Sequence, residues 1–152
     1  MNKELDNYLC KTYPKIFIER KLSPQESCLG RGLECGNGWM PIIDSLCHNI
    51  QQHIDGHNEE AIIPQFVATQ VKEKFGKLRI YHRGGDDYCR GLVDMAISWS
   101  WITCETCGIG GPIFVGHTTE VISSTCEKCA KKNKRSRVYF NESLRDQMLK
   151  EI

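Results

Sequence analysis

Two cysteine pairs constrain this chain more than any other feature: Cys104-Glu-Thr-Cys107 and Cys126-Glu-Lys-Cys129, with eighteen residues between Cys107 and Cys126. The pattern C-x2-C-x18-C-x2-C lets four thiolates close a tetrahedron around one zinc ion. The two-residue gap within each pair lets a tight turn aim both sulfurs at one point. Gly108 follows the first pair and can take a positive φ without strain; Ala130 stands in the matching place after the second. Buried or disulfide-bonded cysteines would explain neither the doubled spacing nor the polar residues inside both pairs. A four-cysteine site keeps no open coordination position, so the expected zinc is structural.

The chain has 152 residues, nine cysteines and a net charge of +1. That length suits one domain, or a small domain with a zinc-stapled extension. The start, Met1-Asn-Lys-Glu-Leu-Asp-Asn, lacks the apolar core of a signal peptide, and no apolar run is long enough to span a bilayer. An odd cysteine count without a secretion signal points to a reducing cytosol and to metal rather than disulfides. The small net charge hides an imbalance. Residues 131–137 carry five cations and no acid, and residues 72–83 carry Lys72, Lys74, Lys77, Arg79 and Arg83 against Glu73 alone. The rest of the chain is net acidic. Such concentration points to an anionic partner.

The periodicities predict an α+β fold: a small antiparallel sheet, made by one β-hairpin, packed with two or three helices, plus a zinc-ribbon-like module near the C-terminus. The expected organisation is an α+β domain over 1–100, the zinc module over 101–130, and a basic segment with a terminal helix over 131–152. Residues 3–12 suit a helix ended by Tyr13-Pro14, and residues 23–38 read as irregular. A helix begins near Asn37-Gly38 with Pro41 in its first turn. It carries an apolar stripe of Trp39, Ile42, Ile43, Leu46, Cys47, Ile50 and Ile54 and ends at Asp55-Gly56-His57-Asn58. Residues 65–83 predict a hairpin turning at Phe75-Gly76. Alternation puts Val67, Thr69, Val71, Phe75, Leu78 and Ile80 on a buried face. It puts Lys72, Lys74, Lys77, Arg79, Tyr81 and Arg83 on an open cationic one. Gly84-Gly85-Asp86-Asp87 reads as a turn and helix start, followed by Leu92, Met95, Ala96 and Trp99 at helical spacing. Between the cysteine pairs, Pro112-Ile-Phe-Val and Glu120-Val-Ile suit short strands around a Gly116-His117-Thr118 turn. Residues 141–150 suit a polar helix.

Four segments in one order carry a resemblance: Glu34-Cys35-Gly36-Asn37-Gly38-Trp39, Ile42-Ile43-Asp44-Ser45-Leu46-Cys47, Gln70 through Tyr81, and Cys104-Glu-Thr-Cys107-Gly108. Together they resemble a family of small, largely uncharacterised proteins encoded by bacteriophages and prophages, over about residues 34–130. The resemblance implies a phage accessory protein in the host bacterial cytoplasm and brings no reaction or ligand with it. Family patterns tend to have Asp where this chain has Asn37. A catalytic or metal-binding role for that Asp could not pass to Asn37 as a general base.

Two basic surfaces are the candidate binding sites. On the hairpin, Lys and Arg beside an aromatic can hold phosphates while Tyr81 stacks on a base; a solvated face kept soluble by charge is the plain alternative. The 131–137 run suits contact with a nucleic-acid backbone or a basic linker, and carries no base specificity by itself. Cys28, Cys35, Cys47, His48, His53 and His57 offer material for a second metal site but match no common zinc spacing. Cys89 with His82 would make a nucleophile and base, and Asp86 with Asp87 a divalent metal site or a turn and cap. No Walker loop, nucleophile elbow or metalloprotease helix is present. The expectation is a non-catalytic protein that captures a nucleotide signal or nucleic acid and so counteracts host defence. A nucleotide pocket often lies at a subunit interface, so a homo-oligomer is compatible. The alternative is a module that inhibits a host protein through Trp99, Trp101, Ile109 and Ile113.

Overall fold

The computed structural model describes residues 1–57, 62–110, 114–118, 121–132 and 138–139. Its architecture is α+β. The segments 133–137 and 140–152, which hold most of the basic run and the expected terminal helix, lie outside the described residues, as do Pro112 and Ile113.

The first helix, α1 (Lys3–Thr12), is capped by the Asn2 side chain, which accepts the Leu5 amide at 2.9 Å. It ends at Tyr13 because Pro14 cannot continue it. Leu9 and Tyr13 are buried, and the Tyr13 hydroxyl donates to Asp44 at 2.9 Å. Asp6 is the buried acid of α1. It accepts the Leu33 amide at 3.0 Å and pairs with Arg20 at 2.9 Å, pinning the irregular segment over residues 18–33 onto the helix. That segment contains two short 3-10 turns, Ile18–Lys21 and Cys28–Arg31.

A third 3-10 turn, Asn37–Trp39, leads into α2 (Met40–His57). Every residue of the expected stripe from Trp39 to Ile54 is buried. Each such aliphatic side chain contributes about 1.5–3 kcal/mol when fully buried, so the stripe is the main support of this helix.

The hairpin pairs β1 (Val67–Lys74) with β2 (Lys77–Arg83) in antiparallel register, with Val71 opposite Ile80, Lys72 opposite Arg79 and Lys74 opposite Lys77. The turn is Phe75-Gly76, with φ of 56° and 77°. Positive φ at both central residues is the turn that matches strand twist, and Gly76 takes it freely. Two expectations about the buried face need correction. Phe75 is 65% exposed, because strand alternation stops at Lys74 and the turn swings the ring outward. A bulge between Ala68 and Gln70 buries Val67 and Ala68 together and leaves Thr69 half-buried.

The outer edge of β1 is covered rather than open. Val71 accepts the Glu34 amide and Glu34 accepts the Glu73 amide, both at 2.9 Å. On the other side, α3 (Asp87–Ser100) packs on β2 and α2. Asp86 caps it, accepting the Cys89 amide at 3.0 Å. Its buried stripe is Cys89, Val93, Ala96 and Ser100. The sequence suggested Leu92, Met95, Ala96 and Trp99. The helix is rotated from that reading, leaving Met95 and Trp99 exposed. Buried Ser100 accepts the Leu78 amide at 3.0 Å and donates to the Ile97 carbonyl, tying the end of α3 to β2.

The last elements are β3 (Phe114–Thr118), β4 (Val121–Thr125), α4 (Glu127–Lys132) and β5 (Val138–Tyr139), in a three-stranded sheet of order β4-β3-β5. Gly116-His117-Thr118, expected as a turn, is strand. The backbone of β3 continues in register with β4 as far as Thr118 opposite Val121. Lys131 and Lys132, the start of the basic run, close α4, where Lys131 pairs with Glu127. Among the described residues, no helix is long and apolar enough to cross a membrane.

Candidate metal centre and basic hairpin face

The sulfurs of Cys104, Cys107, Cys126 and Cys129 come together, all within 4.8 Å of one another. The first pair sits on a turn. The Cys104 amide donates to Ile109, the Gly108 amide donates to Cys104 at 2.8 Å, and Gly108 takes φ 77°. The second pair opens α4, where the Ala130 amide donates to the Cys126 carbonyl at 2.9 Å. Ala130 therefore stands in a helix and needs no positive φ. The Cys107 and Cys126 sulfurs are 3.7 Å apart. A tetrahedral metal with metal–sulfur bonds of about 2.3 Å has sulfur–sulfur edges of roughly 3.8 Å. A disulfide needs about 2.05 Å, and all nine cysteines are free thiols.

The four thiols do not share one electrostatic environment. Burial opposes ionisation of Cys104, but amides of Cys126, Cys107 and Thr106 outweigh it and bring this thiol down to about 7. Cys129 is pushed up to about 12, by burial first and then by the thiols of Cys107 and Cys126. At Cys107 the Ile109 amide favours the thiolate, yet burial and the Cys104 and Cys126 thiols raise it overall. Four thiolates at this spacing repel one another, and a divalent cation removes that conflict.

The centre is docked onto the rest of the chain by residues that no sequence pattern connects with it. Glu105, inside the first pair, accepts the Gly36 amide through its side chain at 2.8 Å and the Gly38 amide through its carbonyl at 2.7 Å. The Trp39 indole N–H donates to the Thr103 carbonyl at 2.9 Å. A Cβ on Gly38 would stand 2.1 Å from the Cys104 oxygen and 2.4 Å from the Gly108 nitrogen. The glycines of Glu34-Cys35-Gly36-Asn37-Gly38-Trp39 thus form a seat for the cysteine turn. Asn37 accepts the Asn2 amide at 2.8 Å through its side chain, a bond that an Asp would also accept. The only sequence signal for this docking is the glycine spacing before a tryptophan.

The hairpin register places Lys72, Lys74, Lys77, Arg79 and Tyr81 on one face, as alternation requires. They do not act alike. Lys77 lies over the Trp101 ring at 3.5 Å, and Arg83 is drawn to Glu19 at 3.0 Å. Lys72 lies over Tyr81 and Lys74 over Phe75, each at 5.4 Å. Lys72, Lys74 and Arg79 form no ion pair among the described residues. Beside them an open groove of about 460 Å³ is lined by Lys74, Phe75, Arg79, Ile80, Tyr81 and Ile97.

The other candidates are regrouped. Cys35 and Cys47 are buried in the core, where burial raises their thiols, and Cys28 is exposed on a separate turn. His48 lines a groove between α1 and α2. His82 stacks on Phe66 at 4.2 Å. Cys89 is gathered instead with His53 and Asp86, a grouping that sequence spacing could not show. Asp87 pairs with Arg90 on the surface. Of the apolar candidates, Trp99 and Ile109 are exposed and Trp101 is half-buried under Lys77.

Comparison with family models, with curated proteins and with solved structures finds no match for this chain.

Proposed function

We propose that this is a non-enzymatic binding protein whose four-cysteine centre holds one structural zinc ion and whose hairpin face holds a phosphate-bearing ligand with a base. The observation that carries this reading is the groove at the hairpin tip. Lys74 and Arg79, two cations without acidic partners among the described residues, share it with the exposed aromatics Phe75 and Tyr81. Phosphate takes the cations and a base takes a ring. A volume of about 460 Å³ falls in the range of small-molecule sites, large enough to be compatible with a nucleotide or with one unit of a single strand. The resemblance to phage-encoded proteins supports a site of action in the bacterial cytoplasm, with sequestration of a nucleotide signal or blocking of a nucleic acid in host defence as its purpose.

The test is binding of a labelled single-stranded oligonucleotide and of mono- and dinucleotides, with the fold checked by circular dichroism. Lys74→Ala with Arg79→Ala should weaken binding by roughly tenfold or more and lower the salt slope on single strands by about 1.4, the share of two phosphate contacts. Tyr81→Ala should cost about 1–3 kcal/mol of binding. Tight nucleotide binding with little salt dependence would select the nucleotide; a steep slope would select the strand. Wild-type binding by the folded double variant refutes the hairpin site.

One observation favours a second reading, inhibition of a host protein. Met95, Trp99 and Ile102 follow helical spacing and are each more than half exposed, as is Ile109. Trp99→Ala would then abolish activity while the Lys74 and Arg79 variant keeps it.

A further inference from the structure

The last turn of α2 and the first turn of α3 meet at the Gly84-Gly85 corner. There they gather an imidazole, a carboxylate and a thiol. One ligand atom each from His53, Asp86 and Cys89 lies within 4.8 Å of the others. None of the three belongs to the four-cysteine centre or the hairpin groove. We propose that these residues form a second metal site, for a divalent transition-metal ion of the zinc class.

The donor set selects the ion. Nitrogen, sulfur and oxygen together suit a borderline ion such as zinc or cobalt(II). Calcium and magnesium need an all-oxygen shell and find no place here.

The donors are also held. Asp86 Oδ2 accepts from His53 Nε2 at 2.8 Å, and its other oxygen accepts the Cys89 amide at 3.0 Å. Cys89 is fully buried, with its sulfur packed near Gly85 and Phe66. The His53 side chain is 15% exposed and that of Asp86 36%. The thiol thus forms a floor and the carboxylate a mouth through which an ion can enter. A helix cap accounts for Asp86 and for the nearness of Cys89, whose amide it accepts. It leaves unexplained why an imidazole converges on the same carboxylate beside a buried thiol.

His57 stands next to this set without belonging to it. It stands four residues after His53 on α2, the spacing at which two histidines of one helix chelate a single ion. The two rings are 4.6 Å apart. His57 Nδ1–H donates to the His53 carbonyl at 2.9 Å, which leaves its Nε2 as the bare nitrogen. Ligating histidines are commonly oriented by such a bond. His53, Asp86 and Cys89 are thus three ligands, and a water is the fourth unless the His57 ring turns toward them. Binding releases the Cys89 thiol proton to solvent, while the proton that His53 Nε2 shares with Asp86 moves to Nδ1, so that a neutral imidazole ligates through Nε2.

The test is the metal content of the full chain, purified without chelator from zinc-supplemented cells and read by native mass spectrometry and elemental analysis. The wild type should carry a second ion beyond that of the four-cysteine centre. Asp86→Asn keeps a capping side chain and His53→Gln keeps a hydrogen-bonding one, so both should fold. Each should lose the second ion and keep the first. In the cobalt-substituted protein, Cys89→Ser should remove about one fifth of the thiolate-to-metal charge-transfer absorption, one thiolate of five. A single ion per wild-type chain at saturating free zinc overturns the assignment. So does a second ion that survives both Asp86→Asn and His53→Gln.

Discussion

Three glycines of this chain show how far local chemistry can be read and where it stops. Gly108 is legible, because a turn after a cysteine pair calls for positive φ and its φ is 77°. Gly38 is not, because its constraint comes from the Cys104 and Gly108 backbones nearly seventy residues away. Gly38→Ala should therefore destabilise the protein by roughly 1–3 kcal/mol and weaken metal retention, since backbone cannot yield as a side chain would. A Cβ on Gly91, within α3, would meet nothing within 4 Å. Gly91→Ala should raise stability by about 0.5–1 kcal/mol, as alanine does in an exposed helix. Thermal melts of the two variants, with metal content measured alongside, decide the point. Equal and small effects would mean that the seat under the cysteine turn can move.

The elements themselves are largely written in the periodicity. The stripe from Trp39 to Ile54 and the alternation of the hairpin each define a buried face, and both helix and hairpin form where the pattern places them. The departures share one cause. Ideal periods would bury Thr69, Met95 and Trp99, but a bulge at Ala68 and the rotation of α3 that buries Cys89 and Ser100 are set by partners elsewhere in the fold. The hairpin turn is the exception that bears on the proposed ligand site. Phe75 holds φ 56°, a conformation that disfavours a bulky side chain, and exposes its ring in the groove beside Lys74. Strain of this kind gathers at functional sites. Phe75→Asn makes the preferred Asn-Gly turn and should stabilise the hairpin by roughly 1 kcal/mol. The same change should weaken ligand binding by removing a stacking surface. A variant that is both more stable and equally tight in binding would take Phe75 out of the site.

At the scale of the whole molecule, the metal centre and the hairpin are mechanically joined, and no single segment announces it. Lys77 lies over Trp101, which stands three residues before Cys104. The Ser124 hydroxyl donates to the Gly76 carbonyl in the hairpin turn, and the Glu105 amide donates to the Ser124 carbonyl at 2.8 Å. Ser124 thus bridges the first cysteine pair and the tip of the basic hairpin. A metal held there would be the only covalent-strength tie among the four cysteines, so its loss should release β4 and α4 together. Removing it with a strong chelator should then abolish amide-exchange protection over residues 101–110 and 121–132. It should also lower protection at the hairpin turn, over residues 74–78, while α1 and α2 keep theirs on the strength of their own core. Ligand affinity should fall in parallel, although no hairpin residue is a metal ligand. Exchange confined to the cysteine segments, with affinity unchanged, would show that the metal holds only its own module. Loss of protection throughout α2 would show instead that the seat at Gly36 and Gly38 carries the stability of the whole domain.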